Sequence, residues 1–512
     1  MDYLVLTIDI GATSSRGIIR SQQEGGILLP DILSCKRVKT VTDLNEYGLL
    51  QDNSEEVLRH VLDLPRDLTS RIKVIVFVSH GASQLLLDSR GVPLFGTCSY
   101  DSPVFDETHD EFLQCFGGAN TLYLETGSPD FPRGINSLQQ IYWLKKNHPQ
   151  RFARASVLLP LSSYLALLLT GNTFTDRTHT RNHAYIERIV SDGFQYGSAV
   201  KELGIESLFP PARRSFEPYG QVTPEVAAHY GLPDDCLVVA AGHDTSVIAA
   251  LADNLASTGT WICNVARNRT IALEPFMRHK GLLVNADIHG ANLRTTIARL
   301  GQMREVYLRR YREQRGRDLP NDLPFDRLRI GTGPVVLPAF TDNTGPYPSL
   351  RDETAAVPAG LLEDPKTFLH ELAFSLAVQE VLSSIFAGDP AVSMENETLS
   401  GLIGRDYRAP DLAMGGPFAG NFVEPDGSDS GRLNLFLEYF RRLYPGRVSR
   451  FTFEEPTSFA AHWMGVAARE GVSPERIDRR VDIPSEDITC DRDLAALIQH
   501  LNKWEAAVGS ID

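Results

Sequence analysis

The sequence predicts an α/β fold in two domains, and three observations lead to that prediction. The chain has 512 residues, too many for one ordinary core and enough for two domains of roughly 200 to 250 residues each. Short apolar strand patterns alternate with helix patterns, which is typical of α/β packing. A strand followed by a polar loop opens the chain at residues 4–15, and the same pattern begins again at Leu237. We therefore expect a second domain to begin near residue 237, with a catalytic cleft between the domains.

Composition and charge exclude two classes of protein. With 42% hydrophobic and 22% charged residues, the chain has the composition of a folded enzyme and not of a disordered scaffold. Its formal net charge of −15 argues against a general nucleic-acid surface, because binding a phosphate backbone requires a basic footprint. The densest basic stretch, residues 304–317, contains glutamates and tyrosines and is interpreted as a solvated helix face. We expect no nucleic-acid partner.

Cysteine usage and hydropathy predict a cytoplasmic protein. The six cysteines form no CxxC motif, so reduced thiols are the simplest interpretation. The first residues lead directly into a strand pattern without a basic region, and no signal peptide is expected. The most apolar stretch, Val157 to Leu169, is shorter than the roughly 20 residues that span a bilayer. We interpret it as a core helix and expect no membrane partner.

The predicted elements set the domain limits. Two helices are predicted around residues 135–144 and 368–386. The second has its larger apolar residues near one face and ends at the Gly388-Asp389-Pro390 stop signal. The segment from Gly231 to Asp235 has the composition of an exposed linker. The expected domains are therefore residues 1–235 and 236–475, followed by a C-terminal extension, 476–512. Strands are predicted at residues 4–8, 17–19, 74–78, 237–241 and 261–265.

The loop from Asp9 to Arg16 has the composition of a phosphate site. It combines a carboxylate, small residues that expose backbone N–H groups, hydroxyl donors and one cation. Phosphoryl transfer needs these groups, because its catalysis is mainly positioning and neutralisation of charge on oxygen atoms. An ordinary β-turn explains the same residues equally well. Neither a Walker lysine motif nor a GxGxxG loop is evident.

Two later loops make the pattern more specific. Gly242-His243-Asp244-Thr245 places a carboxylate after an apolar strand, and Ser257-Thr258-Gly259-Thr260 follows. The order D-I-G-A-T-S-S-R, G-H-D-T, S-T-G-T resembles the FGGY family of carbohydrate kinases, within the actin-like, hexokinase and Hsp70 ATPase superfamily, and most closely its rhamnulokinase-like members. The resemblance covers roughly residues 4–470. Further matching segments are residues 78–88, Tyr100-Asp101, Thr126-Gly127, Gln139-Gln140, 168–171, Asp176 with Thr178, 415–421 and 457–468.

The resemblance implies a fold, cofactors and roles for single residues. The fold would be two RNase H-like domains flanking the cleft, and the cofactors ATP and Mg²⁺. Asp244 would be the general base, with a helix N-cap carboxylate as its structural alternative. Asp9 would orient Mg²⁺. The resemblance also implies contacts with the phosphates of ATP for Thr13, Ser14, Arg16, Thr258, Gly259 and Thr260, and with adenosine for Gly415, Gly416 and Asn421. For each of these residues, a turn or packing role is the structural alternative.

The sugar side follows the family less closely. Rhamnulokinase-like members typically have a tryptophan and an acidic residue where this chain has His80 and Ser83, so the identity of the sugar does not carry over. The residues implied for substrate binding are His80, Gly81, Ser83, Asn136 and Asp244. Structural roles for His80 and Asn136 remain open. Histidines 179 and 183 are four residues apart, but without a nearby glutamate pattern we do not expect a metal site there.

The leading functional hypothesis is an ATP-dependent carbohydrate kinase. It would transfer the γ-phosphoryl group of MgATP to a hydroxyl of a monosaccharide, a ketose of the rhamnulose, fuculose or xylulose type. One alternative is an ATP-binding regulatory or switch protein on the same fold. Another is a kinase for a non-sugar polyol or hydroxy acid. The expected partners are the small-molecule sugar and ATP, and the sequence leaves a homodimer open.

Overall fold

The fold is known from a computed structural model of the chain. It describes residues 2–12, 14–24, 30–190, 193–259, 261–267, 271–320, 323–337, 344–347, 361, 363–419, 434–473, 483, 485–488 and 494–509. Three predicted site residues, Thr13, Thr260 and Asn421, lie outside the described residues.

Strands and short helices alternate through the first half of the chain. Its strands are β1 (Asp2–Ile10), β2 (Ser14–Gln23), β3 (Ile32–Lys39), β4 (Thr42–Leu44), β5 (Leu50–Asp52), β6 (Ile72–Ser79), β7 (Gln84–Leu87), β8 (Val157–Pro160), β9 (Thr175–Asp176), β10 (Ala212–Arg213), β11 (Pro218–Gln221) and β12 (Leu237–His243). Its α-helices are α1 (Ser54–Leu62), α2 (Arg66–Thr69), α3 (His109–Cys115), α4 (Ala119–Thr126), α5 (Ser137–Asn147), α6 (Pro149–Phe152), α7 (Leu161–Thr170), α8 (Arg177–Arg181), α9 (Ser198–Leu203), α10 (Pro224–Tyr230) and α11 (Asp244–Ile248).

Longer helices appear in the second half. Its strands are β13 (Asn254–Ser257), β14 (Ile262–Ala266), β15 (Leu282–Ala286), β16 (Asn292–Ala298), β17 (Leu412–Gly415), β18 (Val448–Phe451) and β19 (Ser485–Asp487). Its α-helices are α12 (Leu300–Arg315), α13 (Pro365–Gly388), α14 (Leu399–Gly404), α15 (Asn434–Leu443), α16 (Pro456–Glu470) and α17 (Leu494–Gly509).

Two mixed sheets organise these elements. The first has six strands in the order β11-β12-β6-β1-β2-β3, in which β1 runs parallel to β6 and antiparallel to β2. The second has seven strands in the order β15-β16-β14-β13-β17-β18-β19. In both sheets an antiparallel hairpin lies beside parallel strands, as the repeated strand-loop pattern predicts.

The chain divides into two compact units at a different place from the prediction. The first unit contains Met1–Leu251, Val284–Asn292 and Thr457–Ile483, and the second contains the remaining segments. The division after Leu251, and not at the predicted linker near residue 235, follows from strand pairing. Strand β12 pairs in parallel with β6, with Leu237 opposite Val74, so residues 237–243 complete the first sheet.

Helix α16 belongs to the first unit although it lies late in the chain. A Cβ atom at Gly465 would come within 2.6 Å of the Val76 side chain, so the helix lies close against strand β6. Arg20 donates a hydrogen bond of 2.6 Å to the Ser458 hydroxyl. The chain therefore returns to the first sheet, and the expected single C-terminal domain, residues 236–475, is not continuous in the structure.

Two apolar segments differ from their predicted form. Residues 157–169, expected to be one helix, form strand β8 and then helix α7, because Pro160 is extended with φ −67° and ψ 157° and the helix begins at Leu161. Helix α13 confirms the helix predicted at residues 368–386, but it is buried from Thr367 to Ala387 and not along one face only.

One helix of the described residues meets the length and composition of a membrane span. It is α13, and 94% of its most apolar window is buried inside the protein. Burial of this kind is also found in the core helices of globular proteins. The cytoplasmic location stays a prediction.

Candidate active site

The turn between β1 and β2 carries the first predicted phosphate loop. A Cβ atom at Gly11 would lie 2.4 Å from the backbone oxygen of Ser14, so only glycine fits this tight turn. Asp9 and Arg16 face each other across the hairpin, and Nη2 of Arg16 lies 2.6 Å from Oδ2 of Asp9. The predicted metal ligand and the predicted phosphate cation are therefore ion-paired.

A cavity of about 230 Å³ lies beside the end of strand β6 in the first unit. His80 lines it: its Nδ1 donates a 2.8 Å hydrogen bond to the Gly81 carbonyl, and its ring meets Tyr100 edge-on at 5.6 Å. Because Nδ1 is used in this way, Nε2 is the ring nitrogen left for a ligand. The other lining residues are Ala12, Lys39, Thr40, Thr42, Leu50, Asp52, Ser99 and Asp101. Hydroxyl and charged groups in this number suit a polyhydroxylated ligand.

Asp244 begins helix α11 directly after strand β12. Its Oδ1 accepts hydrogen bonds from the backbone nitrogen of Thr245 at 2.5 Å and from the Thr245 hydroxyl at 3.2 Å. The side chain is 37% exposed, and the described hydrogen bonds leave Oδ2 unused. Desolvation raises the pKa of the Asp244 carboxyl above its ordinary value, although His80 and Thr245 act in the opposite direction. A raised pKa brings a carboxylate closer to the range of an effective base.

Two uncharged imidazoles pack behind this strand end. Desolvation and the neighbouring histidines hold the pKa values of His183 and His243 well below their ordinary value. A Cβ atom at Gly81 would lie 2.5 Å from Nε2 of His243 and 2.7 Å from Nε2 of His183. Glycine at position 81 therefore lets both rings approach the chain next to His80.

Two residues predicted for substrate binding have internal partners or are enclosed. The side-chain amide of Asn136 is fully buried and bonds to three backbone groups, those of Pro129, Phe131 and His183. In this conformation it shapes the loop before helix α5. Ser83 is 1% exposed, and its hydroxyl has no hydrogen-bond partner among the residues that the structure describes. Of the predicted set, His80 and Asp244 have accessible polar groups at the strand ends.

A second loop pair lies in the second unit. Thr258 follows strand β13, and its hydroxyl donates a 2.8 Å hydrogen bond to the Gly415 carbonyl and accepts one of 3.1 Å from the backbone nitrogen of Phe418. Gly416 has φ +96°, and a Cβ atom there would lie 2.1 Å from the Thr258 carbonyl oxygen. The predicted phosphate residue Thr258 and the predicted adenosine residues Gly415 and Gly416 are thus brought together, with Gly259 next to them.

The sequence did not point to the pair Asp176 and His179. Their side chains meet at 2.8 Å and are fully buried. In the sequence, Asp176 is part of the family order, and His179 stands out only by its spacing from His183. The available signal was the T-D-x-T-H run after a helix end, in which an aspartate caps a short helix and reaches the histidine three residues later.

Fold comparison defines the class. A carbohydrate kinase from Novosphingobium aromaticivorans superimposes over 99% of both chains with a TM-score of 0.71, at 21% sequence identity. The chain therefore has the fold of this kinase, and the predicted α/β fold is confirmed.

The sequence comparison defines the family. Residues 4–252 match the N-terminal domain of the FGGY family of carbohydrate kinases. This segment, just under half of the chain, is thus similar to an FGGY N-terminal domain, which agrees with the resemblance seen in its loops.

Two curated relatives are similar over part of their length. An L-fuculokinase from Escherichia coli (strain K12) is 26% identical over 302 residues, which are 56% of this chain and 61% of that protein. A rhamnulokinase from Halalkalibacterium halodurans is 32% identical over 187 residues, which are 35% of this chain and 38% of that protein. The matched regions thus span from about two-fifths to three-fifths of these relatives.

Proposed function

We propose that the protein is an ATP-dependent carbohydrate kinase that phosphorylates a hydroxyl of a monosaccharide, with a ketose of the rhamnulose, fuculose or xylulose type as substrate. The observation that carries the proposal is the position of Asp244, a partly exposed carboxylate directly after strand β12. The same sheet holds Asp9 and Arg16, and His80 directly follows its strand β6. The family of the N-terminal domain and the names of the relatives support the sugar as acceptor.

In the proposed reaction Asp244 is the general base. Its Oδ2 accepts the proton of the sugar hydroxyl as that oxygen attacks the γ-phosphorus, and Thr245 holds Oδ1 so that the carboxylate keeps its orientation. The bond from the γ-phosphorus to the bridging oxygen breaks, and ADP leaves. His80 would bind a sugar hydroxyl from the cavity side through Nε2.

The phosphate side uses Arg16, Ser14, Thr258 and Gly259, with Thr13 and Thr260 as further predicted contacts. Thr258 supports the nucleotide loop at Gly415 and Gly416, and Asn421 stays a predicted adenosine contact. Arg16 would neutralise charge that develops on phosphate oxygens.

The donor set fits Mg²⁺. The ion commonly binds one or two carboxylates together with substrate phosphates and water, and Asp9 supplies a carboxylate that is 5% exposed at the phosphate loop. Asp9 would hold the ion at this loop, where Mg²⁺ would supply positive charge that offsets the charge of the phosphates. Arg16 orients Asp9 for this role.

A sugar-dependent assay tests the proposal. The Asp244→Asn variant should keep the fold and lower turnover by about 10²- to 10⁴-fold, the usual contribution of a positioned base. ADP release is measured with ketoses, aldoses, polyols and hydroxy acids, and unfolding is followed by circular dichroism. Near-normal sugar-dependent ADP release in the variant would contradict the role of Asp244. ATP binding without turnover on any of these acceptors would instead favour a regulatory or switch protein.

A further inference from the structure

Asp176 and His179 form a buried pair behind the two strand ends of the proposed site. Nδ1 of His179 lies 2.8 Å from Oδ2 of Asp176, and both side chains have 0% exposure. A carboxylate at this distance requires a proton on Nδ1. The Asp176 carboxylate therefore stabilises the forms of His179 that carry a proton on Nδ1.

The other ring nitrogen of His179 faces strand β6. Nε2 lies 3.1 Å from the Ser79 hydroxyl and 3.4 Å from the His80 carbonyl oxygen. Because a carbonyl oxygen can only accept, the contact with His80 is a hydrogen bond only when Nε2 of His179 carries a proton. With protons on both nitrogens, His179 is an imidazolium that links Asp176 to the backbone of His80.

The electrostatic surroundings of His179 favour its charged form. Desolvation lowers the pKa of His179, but the Asp176 carboxylate outweighs it, and the His80 carbonyl and Asp244 add to the upward shift. Among the described residues, the imidazoles of His183 and His243 also lie near His179. The pKa values of His183 and His243 lie well below the ordinary value, partly because His179 is nearby.

The same carboxylate also reaches the strand that carries the base. Oδ1 of Asp176 accepts a hydrogen bond from the Thr178 hydroxyl, and the Thr178 oxygen in turn accepts one of 2.8 Å from the backbone nitrogen of His243. A Cβ atom at Gly242 would lie 2.2 Å from that hydroxyl oxygen and 2.9 Å from Oδ1 of Asp176. Asp176 is thus linked through Thr178 to His243 of β12, one residue before Asp244.

We propose that His179, held as a cation by Asp176, is a positioning residue that orients the His80 backbone and keeps Asp244 ionised for proton transfer. The inference rests on the proposed kinase function, because it explains how the charge of the proposed base, Asp244, is stabilised. His179 reaches the strand end that carries His80 directly, and Asp176 reaches β12 through Thr178.

The first test is the pH profile of kcat/KM for the sugar. His179→Gln and Asp176→Asn both remove the cation, so the acid limb, which reports the protonation of Asp244, should move upward by about 0.5 to 1 pH unit, the effect of roughly 1 kcal/mol of lost attraction. The loss of activity should be largest on the acid limb and should shrink as the pH rises above it. An equal loss at every pH, with an unmoved acid limb, would overturn the electrostatic role.

The matched control is another buried pair of the same kind. Nε2 of His500 lies 2.8 Å from Glu371, each with 2% exposure, in the second unit. His500→Gln removes a buried histidine from a carboxylate but should leave the acid limb in place. A similar shift in this variant would mean that any buried pair has the effect, which contradicts a specific link to Asp244.

A measurement on the wild-type protein tests the charge of His179 even if the variants do not fold. In a ¹⁵N-histidine NMR titration, His179, assigned as the resonance absent from His179→Gln or by sequential connectivity, should stay protonated above the ordinary histidine range. A neutral His179 at pH 7 would overturn the proposal. Absence of sugar-dependent turnover in the wild type would contradict the kinase function, whereas the NMR result is independent of turnover.

Discussion

Nη2 of Arg16 lies 2.6 Å from Oδ2 of Asp9, and the two residues face each other across the β1–β2 hairpin. Both side chains are largely enclosed, with 17% and 5% exposure. Charge-assisted hydrogen bonds in such surroundings are among the stronger ones. The guanidinium is therefore fixed in place before any phosphate arrives.

Replacing Arg16 by glutamine should weaken the use of MgATP and leave sugar binding nearly unchanged. A hydrogen bond to a charged group contributes about 1.5 to 3 kcal/mol, so kcat/KM for MgATP should fall by about 10- to 100-fold. Steady-state kinetics with each substrate varied in turn measures this. Arg90→Gln, at a side chain that is 74% exposed, is the control. A selective rise of KM for the sugar would contradict the assignment.

Gly81→Ala should damage the sugar side of the site. The added Cβ would lie 2.5 Å from Nε2 of His243 and 2.7 Å from Nε2 of His183, so at least one ring must move. Overpacking of this kind costs about 1 to 3 kcal/mol, and KM for the sugar should rise while KM for MgATP changes little. Thermal unfolding and kinetics measure the two effects. Gly404→Ala, where nothing lies within 4 Å of the new Cβ, should be close to neutral.

Thr258→Val should loosen the nucleotide loop of the second unit. The variant keeps the shape of the side chain but removes the donor to Gly415 and the acceptor of the Phe418 N–H group. The Gly415 carbonyl still accepts the backbone N–H group of residue 258 at 2.8 Å, but the Phe418 N–H group loses its acceptor, which costs about 1 to 3 kcal/mol. ATP binding measured by calorimetry should therefore weaken. Thr258→Ser restores the hydroxyl and should restore most of the affinity. Equal binding by the valine and serine variants would show that the hydroxyl has no role.

The sequence predicts those parts of the fold that depend on local pattern. The β1–β2 hairpin and helix α13 lie where apolar runs and turn residues predict them. The domain boundary depends on a pairing between β12 and β6, which are separated by more than 150 residues and carry no local signal for each other. The strand β8 was missed because its apolar residues continue without a gap into helix α7.

The residues of the site also divide into those with a local sequence signal and those whose partners are distant in sequence. A carboxylate directly after an apolar strand predicts the position of Asp244, because the strand end brings the residue to the edge of the sheet. The pattern around Asn136 gives no sign that its amide is used by the backbone of Pro129, Phe131 and His183. Such hydrogen bonds join segments distant in sequence, and only the folded chain shows them.

Glu380 should make the stability of the protein depend on pH. It lies on helix α13 with 0% exposure, and the side chains of Asn264 and Ser384 form hydrogen bonds with its carboxyl, each at 3.3 Å. Desolvation raises the pKa of Glu380 from its ordinary 4.5 to about 8, although both contacts lower it. The folded state therefore holds a proton that the unfolded state releases between these two pKa values.

The sign of the effect follows from proton binding. The stabilising contribution is fully present below pH 4.5 and is lost as pH rises towards 8, by on the order of 1 kcal/mol per pH unit. Glu380→Gln cannot ionise and should remove this slope, so the variant should gain stability relative to the wild type as pH rises from 5 to 8. Urea unfolding at several pH values measures the difference, with Glu313→Gln, 66% exposed on helix α12, as control. A constant difference across this range would mean that Glu380 is ionised in the folded protein.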